Sequence, residues 1–377
     1  MQDSEVKQLC ISLVKIPSIT PEDLGCQDLI IEKLKSAGFD CLTLKQRGTT
    51  NLLAIHGRGA PFFLFLGHTD VVPPGDLEAW KAAPFDGTVA NGILIARGSA
   101  DMKGSDAAMT LALRDFVKDY PNHKGSVGIL LTSNEEGDAV GGTPFVAEYL
   151  KNHNLIPTYC VVGEPSSLKE FGDQIKNGRR GSLTAHIEVF GIQGHVAYPD
   201  KCDNAAHHAA ELISALHKKQ WDQGSESFPP SSFQVTNLNC GTGAENVVPG
   251  SCKIMCNWRF SDELNQAKIA KTVDKIVADL NIKCNIRYVL NGSPFITKSG
   301  ALVEALSSSI EEECKIKPRL STSGGTSDGR FIAPLGAQTV EFGPISATIH
   351  KANESLNLED LIKLQAIFLK TLTKLMV

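Results

Sequence analysis

Acidic and imidazole side chains recur in this sequence directly behind apolar runs. His68 and Asp70 follow FFLFLG in GHTDVVPPG, Asp101 lies in RGSADMKG, Glu135 and Glu136 follow ILLTS in NEEG, and Glu164 follows CVV in GEPSS. A further imidazole, His350, stands far along the chain in GPISATIHKANE. Taken singly, each has an ordinary structural explanation. A lone histidine is commonly a satisfied structural residue, a lone Asp near glycine marks a turn, and paired glutamates sit on a solvated face. Together they bring one acid or imidazole after another to the ends of strand-like runs. Several carboxylates gathered there repel one another unless a cation neutralises them. Mixed His and carboxylate ligands suit zinc, and suit the neighbouring divalent metals nearly as well.

The elements that must position these groups read as an α/β pattern. Glu5–Ile16 and Cys26–Ala37 carry apolar residues at helical spacing, and Gly38 stops the second. Pro61–Leu66, Ser126–Thr132 and Tyr159–Val162 are short apolar runs ending in polar clusters, as strands of a largely parallel sheet do. Functional groups collect where the carboxyl ends of such strands give way to loops. From about Gly181 the texture changes. Strand-like Ser182–Phe190, helical Asn204–Lys218, strand-like Ser232–Asn239 and Cys252–Phe260, helical Gln266–Leu280 and strand-like Cys284–Leu290 follow in order. That β-α-β-β-α-β order is ferredoxin-like. It predicts a small domain over residues 181–291, inserted between a first part of the larger domain at 1–180 and its return at 292–377.

Bulk properties bound the function. A chain of 377 residues is too long for one ordinary core, and 42% hydrophobic with 21% charged residues is ordinary for a globular protein. A net charge of −5 and the lack of a Lys/Arg-rich run argue against nucleic-acid binding. The N-terminus lacks the pattern of a signal peptide and the apolar runs are too short to span a bilayer, so the expectation is a cytoplasmic protein with no membrane contact. The 10 cysteines are scattered without a CxxC pair, which predicts reduced, mostly buried thiols and no cysteine ligand. GTSDG at Gly325–Gly329 is not a serine-nucleophile elbow, since no elbow strand precedes it.

HTDVVPPG, RGSADMKG, NEEG, GEPSS and the late His350, in that order, resemble the dinuclear zinc aminoacylase and carboxypeptidase superfamily. The resemblance covers nearly the whole chain, the inserted domain included. It implies a zinc-dependent exopeptidase-like catalytic domain with a mostly parallel sheet, plus a ferredoxin-like lid and dimerisation domain. It further implies two divalent metal ions per subunit, zinc with cobalt able to substitute. By position, His68 and Glu164 hold one ion, Glu136 and His350 the other, and Asp101 bridges them. Asp70 orients the His68 imidazole, and Glu135 stays free of metal as general base and acid. Two such ions share a water, lower its pKa and polarise an amide carbonyl. Glu135 takes the water proton and returns it to the departing amine.

Three stretches bear on the substrate. IKNGRRGSL carries Lys176, Arg179 and Arg180, SGGTSDGRF carries Gly325, Thr326 and Arg330, and GIQGHVAYP carries His195 and Tyr198. Arginine suits bidentate carboxylate binding, so the cluster fits a small molecule bearing several carboxylates. Any one of these arginines is also explained as a surface ion pair. The stretches resemble one amide-hydrolysing branch of the superfamily, which implies that Lys176, Arg179, Tyr198, Asn246, Arg259, Gly325, Thr326 and Ser346 line the substrate site. It also implies that His195 serves as an oxyanion donor in the partner subunit of a homodimer formed through the lid. Two positions depart from the branch, which usually has Asp at Asn134 and Asn at Ser346. The alternatives are a deacetylase of N-acetylated amino acids or another aminoacylase, a peptidase of the superfamily, and a non-catalytic binding protein that would have lost the base Glu135.

Overall fold

The run Phe62–His68 is buried at every residue, and so is Ser126–Thr132. Strands covered on both faces read as continuous apolar runs, and these two pair in parallel at the centre of an eight-stranded sheet. Tyr159–Val162 adds in parallel on the far side of Phe62–His68, and Gln338–Glu341 adds in parallel to that. An antiparallel hairpin, Asp40–Gln46 with Thr49–Gly57, extends one edge. Gln174–Lys176 and Arg319–Ser321, mutually parallel, extend the other. The structure, a computed structural model, describes residues 4–377.

Helices cover both faces of this sheet. Glu5–Val14, Cys26–Lys35, Gly104–Asp119, Ala301–Cys314 and Leu358–Met376 bury their apolar stripes against one face, with Phe63, Phe65, Phe116, Phe342 and Phe368 in the core between. Thr143–Asn152 covers the other through Val146, Ala147 and Leu150. The first helix ends at Val14, short of the expected Ile16. The residue before Pro17 is pushed out of the helical region, and the last turn unwinds ahead of it.

The chain divides into two units. One runs to Gly178 and resumes over Ile296–Ser321 and Ser327–Val377. The second comprises Arg179–Phe295 together with Thr322–Thr326. In that second unit Gly181–Phe190, Ser232–Cys240, Ser251–Phe260 and Cys284–Gly292 form an antiparallel sheet. In spatial order the strands run fourth, first, third, second, the ferredoxin-like arrangement. Burial alternates along Gly181–Phe190 and Ser251–Phe260, because one face packs on helices Ala205–Lys218 and Gln266–Asp279. Trp258 lies at the centre of that core, edge-on to Trp221 at 5.3 Å. The segment Thr322–Thr326 belongs here through the Thr322 hydroxyl, which donates to Ser227 O at 2.6 Å, and the Arg179 guanidinium, which donates to Ser323 O at 3.1 Å.

All ten cysteines are free thiols. Cys10, Cys26, Cys160, Cys252 and Cys256 are buried as expected, whereas Cys240, on an outer strand of the second sheet, is exposed. Among the described residues no helix is long and apolar enough to cross a membrane.

Candidate metal centre

Strand register gathers the acids and imidazoles. His68 ends its strand opposite Thr132, the last residue of Ser126–Thr132, so the NEEG loop begins beside it. Leu66 opposes Val162, which places Glu164 just past the same edge. Parallel neighbours end at one edge, so three loops leave the sheet together there. Asp101 comes from the irregular turn Ser99–Lys103 ahead of helix Gly104–Asp119. That turn enters through Gly98 at φ 81, where an added Cβ would stand 2.5 Å from Val71 Cγ1. His350 adopts φ 59, a left-handed conformation unusual for a residue with a side chain.

The side chains converge within the first unit. Asp101 Oδ1 lies 3.3 Å from His68 Nε2, and Asp101 Oδ2 lies 3.3 Å from His350 Nε2. Glu164 Oε1 is 3.8 Å from His68 Nε2, and Glu136 Oε1 is 3.0 Å from His350 Nε2. Each imidazole thus faces its own oxygen of Asp101 and its own glutamate. Glu135 also comes close, with a carboxylate oxygen within 4.8 Å of ligand atoms of His68 and Glu164. The His68 Nδ1 edge meets Asp70 O at 2.9 Å, while the Asp70 carboxylate accepts the backbone N–H groups of Glu135 at 3.2 Å and Glu136 at 3.1 Å.

The electrostatics of this cluster are those of a cation site. Burial alone disfavours the imidazolium of His68, yet Asp101, Asp70, Glu135 and Glu164 outweigh it and lift its pKa well above the usual value. Asp101 and Glu136 draw His350 up to about 10. Burial and the nearby Asp328 carboxylate push Glu135 well up, and burial with Asp101 and Glu135 does the same to Glu164. His68 Nε2 and Asp101 Oδ1 are buried without a hydrogen-bond partner, although they face each other. Buried polar atoms are rarely left so. An imidazole nitrogen and carboxylate oxygens converging on one space fit a divalent metal ion of the zinc type.

Other predicted residues fall in two groups. In the first unit, Lys176 is buried at the end of Gln174–Lys176, opposite Glu341, and the Ser346 hydroxyl donates to Ser167 O at 3.1 Å. In the second unit, His195 pairs with Val247, Val196 N donates to Asn246 O at 3.0 Å, and the His195 ring lies 5.6 Å from that of Tyr198. Tyr198 and Gly325 are exposed, Arg259 and Thr326 are half-buried, and Arg179 is buried. Asn134, at the position where Asp is usual, donates to Thr49 Oγ1, Asp138 Oδ1 and Val140 O.

Two buried acids at this edge escaped the sequence reading. Asp328, in SGGTSDGRF, is the carboxylate that bears on Glu135. Glu354, in HKANE, is fully buried against the Asp101 turn. Neither has a local sequence signal, because each is defined by partners far away in the chain.

Comparison with known proteins agrees with this centre. Residues 64–374 match the model of peptidase family M20/M25/M40. The chain is 48% identical over 373 residues to the succinyl-diaminopimelate desuccinylase of Methylococcus capsulatus, covering 99% of both chains. Among solved structures it superposes on the aminopeptidase PepT of Bacillus cereus with a TM-score of 0.81 at 20% identity, over 98% of each chain. It also superposes on a dinuclear metal-binding M20 peptidase of Bacillus subtilis with a TM-score of 0.73 at 15% identity, over 99% of this chain and 98% of that one. A family match spanning every one of the seven convergent acids and imidazoles, on a shared fold, leads to one conclusion: this chain belongs to peptidase family M20/M25/M40.

Proposed function

We propose that this chain hydrolyses N-succinyl-L,L-2,6-diaminopimelate to succinate and L,L-2,6-diaminopimelate, a cytoplasmic step towards lysine and diaminopimelate, using two zinc ions that cobalt can replace. His68 and Glu164 would hold one ion and Glu136 and His350 the other, with Asp101 shared between them. The observation that carries this chemistry is Asp101 set between two imidazoles, 3.3 Å from each. The likeness to the Methylococcus enzyme along 99% of both chains supports the substrate.

Two bound metals supply a water that ionises near neutral pH and a Lewis-acid pull on the amide carbonyl. The chain's own residues do the rest. The Glu135 carboxylate takes a proton from the attacking water and delivers it to the departing nitrogen, without which an amide scarcely leaves. Its position suits the task, since a carboxylate oxygen lies within 4.8 Å of ligand atoms of His68 and Glu164. Asp70 holds the backbone of Glu135 and Glu136 while its own carbonyl fixes the ring of His68. Lys176, Arg179, Arg259, Tyr198, Asn246, Gly325, Thr326 and Ser346 receive the carboxylates and amine of the substrate, and His195 serves a partner subunit as an oxyanion donor. The second unit acts as lid and dimer contact.

The test is succinate release from the succinyl substrate beside N-acetylornithine, before and after chelation and zinc re-addition. Metal-dependent turnover of the succinyl amide alone is the expected result. Turnover of acetylornithine instead would retain the hydrolytic chemistry and overturn the substrate.

A further inference from the structure

We propose that Glu354 is a positioning residue of the metal centre, whose carboxylate fixes the backbone at Asp101 and ties it to the turn that carries His350. The inference rests on the reading of Asp101 and His350 as metal ligands. Glu354 lies four residues beyond His350 and is fully buried. Its Oε1 accepts the N–H groups of Ala100 at 2.9 Å and Asp101 at 3.0 Å. Its Oε2 accepts the N–H of Gly98 at 3.0 Å and Arg97 Nη1 at 2.7 Å. Even its main-chain carbonyl takes part, accepting Ala96 N–H at 3.1 Å. Strand Ser355–Asn357 then continues the pairing antiparallel to Ile93–Ile95.

Four donors fill the acceptor capacity of a carboxylate. Three of them are consecutive or nearly consecutive amides of one irregular turn, so a single side chain dictates the path of the backbone through Asp101. Arg97 is itself buried and lies over the Trp80 ring at 5.3 Å, which leaves little room for either partner of the ion pair to shift. A buried ion pair contributes little net stability compared with an apolar pair of similar volume. What this one supplies is placement. It locks the turn bearing Asp101 to the segment bearing His350, two groups separated by about 250 residues of chain whose facing atoms must stay 3.3 Å apart. His68 and Glu164 are placed differently, by the register of adjacent strands. Loss of Glu354 therefore weakens the ion held by His350 and Glu136 more than the one held by His68 and Glu164.

The experiment is a cobalt(II) titration of chelator-stripped full-length protein, wild type against Glu354→Gln, read by equilibrium dialysis and by d–d absorption. The glutamine keeps the volume but must turn its NH2 towards an amide N–H or the guanidinium. Wild type is expected to take two equivalents. Glu354→Gln is expected to take the first with unchanged affinity and the second about 10–100-fold more weakly, with an altered absorption band for that second ion. Thermal unfolding in chelator tells loss of metal from loss of fold. If the glutamine variant does not fold, Glu354→Asp replaces it, with the same expected outcome. It keeps the charge facing Arg97 but is one methylene too short to reach the Ala100 and Asp101 amides together. Two equivalents with wild-type affinities and spectrum in the variant would overturn the inference while leaving the two-metal reading intact. A wild type that takes only one equivalent would overturn that reading, and the inference with it.

Discussion

Asp70 Oδ1 accepts the backbone N–H of Glu135 at 3.2 Å, so the residue two places after the proposed ligand His68 holds the proposed base by its main chain. The other oxygen takes the N–H of Glu136 at 3.1 Å. One carboxylate thus sets the path of the loop that carries both the proposed base and the proposed ligand beside it. Asp70→Asn retains one acceptor but turns an NH2 towards an N–H. The expected outcome is a fall in kcat of about 10–100-fold with KM nearly unchanged, measured by steady-state succinate release. An equal rise in KM alone would assign Asp70 to substrate binding instead.

Asn134 suits its position because its amide donates, to Thr49 Oγ1 at 3.3 Å, Asp138 Oδ1 at 2.9 Å and Val140 O at 3.1 Å. An aspartate there has no N–H to give and faces the Asp138 carboxylate. Asn134→Asp is expected to destabilise the protein by about 1–3 kcal/mol. The double variant Asn134→Asp/Asp138→Asn restores a donor between the two side chains and is expected to recover part of that loss in urea unfolding.

A pH-dependent contribution to stability comes from Asp222 in the second unit. Its Oδ1 accepts Gly224 N at 2.9 Å and Ser231 N at 2.8 Å, and its Oδ2 accepts the hydroxyls of Ser231 and Ser261. Burial favours the neutral acid, but these donors prevail and hold its pKa below the usual 3.8. A carboxylate depressed by folding stabilises above its unfolded pKa and loses that contribution as pH falls through the folded value. The gap in urea midpoint between wild type and Asp222→Asn, followed by the fluorescence of Trp221 and Trp258, is therefore expected to be constant above about pH 5 and to narrow progressively as pH falls below about 4. A gap that does not narrow at all between about pH 5 and about pH 3 would contradict this.

Much of the molecule was legible because its signals are local. Ser126–Thr132 and Tyr159–Val162 are apolar at nearly every position, and both form the strands read from them. The expected Pro61–Leu66 instead runs Phe62–His68, since Gly67 and His68 still pair with Leu131 and Thr132. Polar ends of that kind are invisible to apolar patterning yet carry the functional residue. The short strands Thr88–Ala90, Ile93–Ile95 and Ser355–Asn357 escaped for a different reason, being only three residues each. Asp101 and His350 were legible only through the order of the motifs, whereas His68, Glu135, Glu136 and Glu164 stood out because each closely follows an apolar run. Glu354 did not, since its meaning depends on Arg97 and three amides more than 250 positions away.

The role of Asp101 is tested most directly by anomalous diffraction at the zinc edge from crystals of the zinc-loaded protein. The expected result is two peaks about 3.5–4 Å apart. One should lie against His68 and Glu164, the other against His350 and Glu136, with Asp101 shared and Glu135 bound to neither. A single peak, or Glu135 coordinated in place of Asp101, would contradict both the bridge and the assignment of the base.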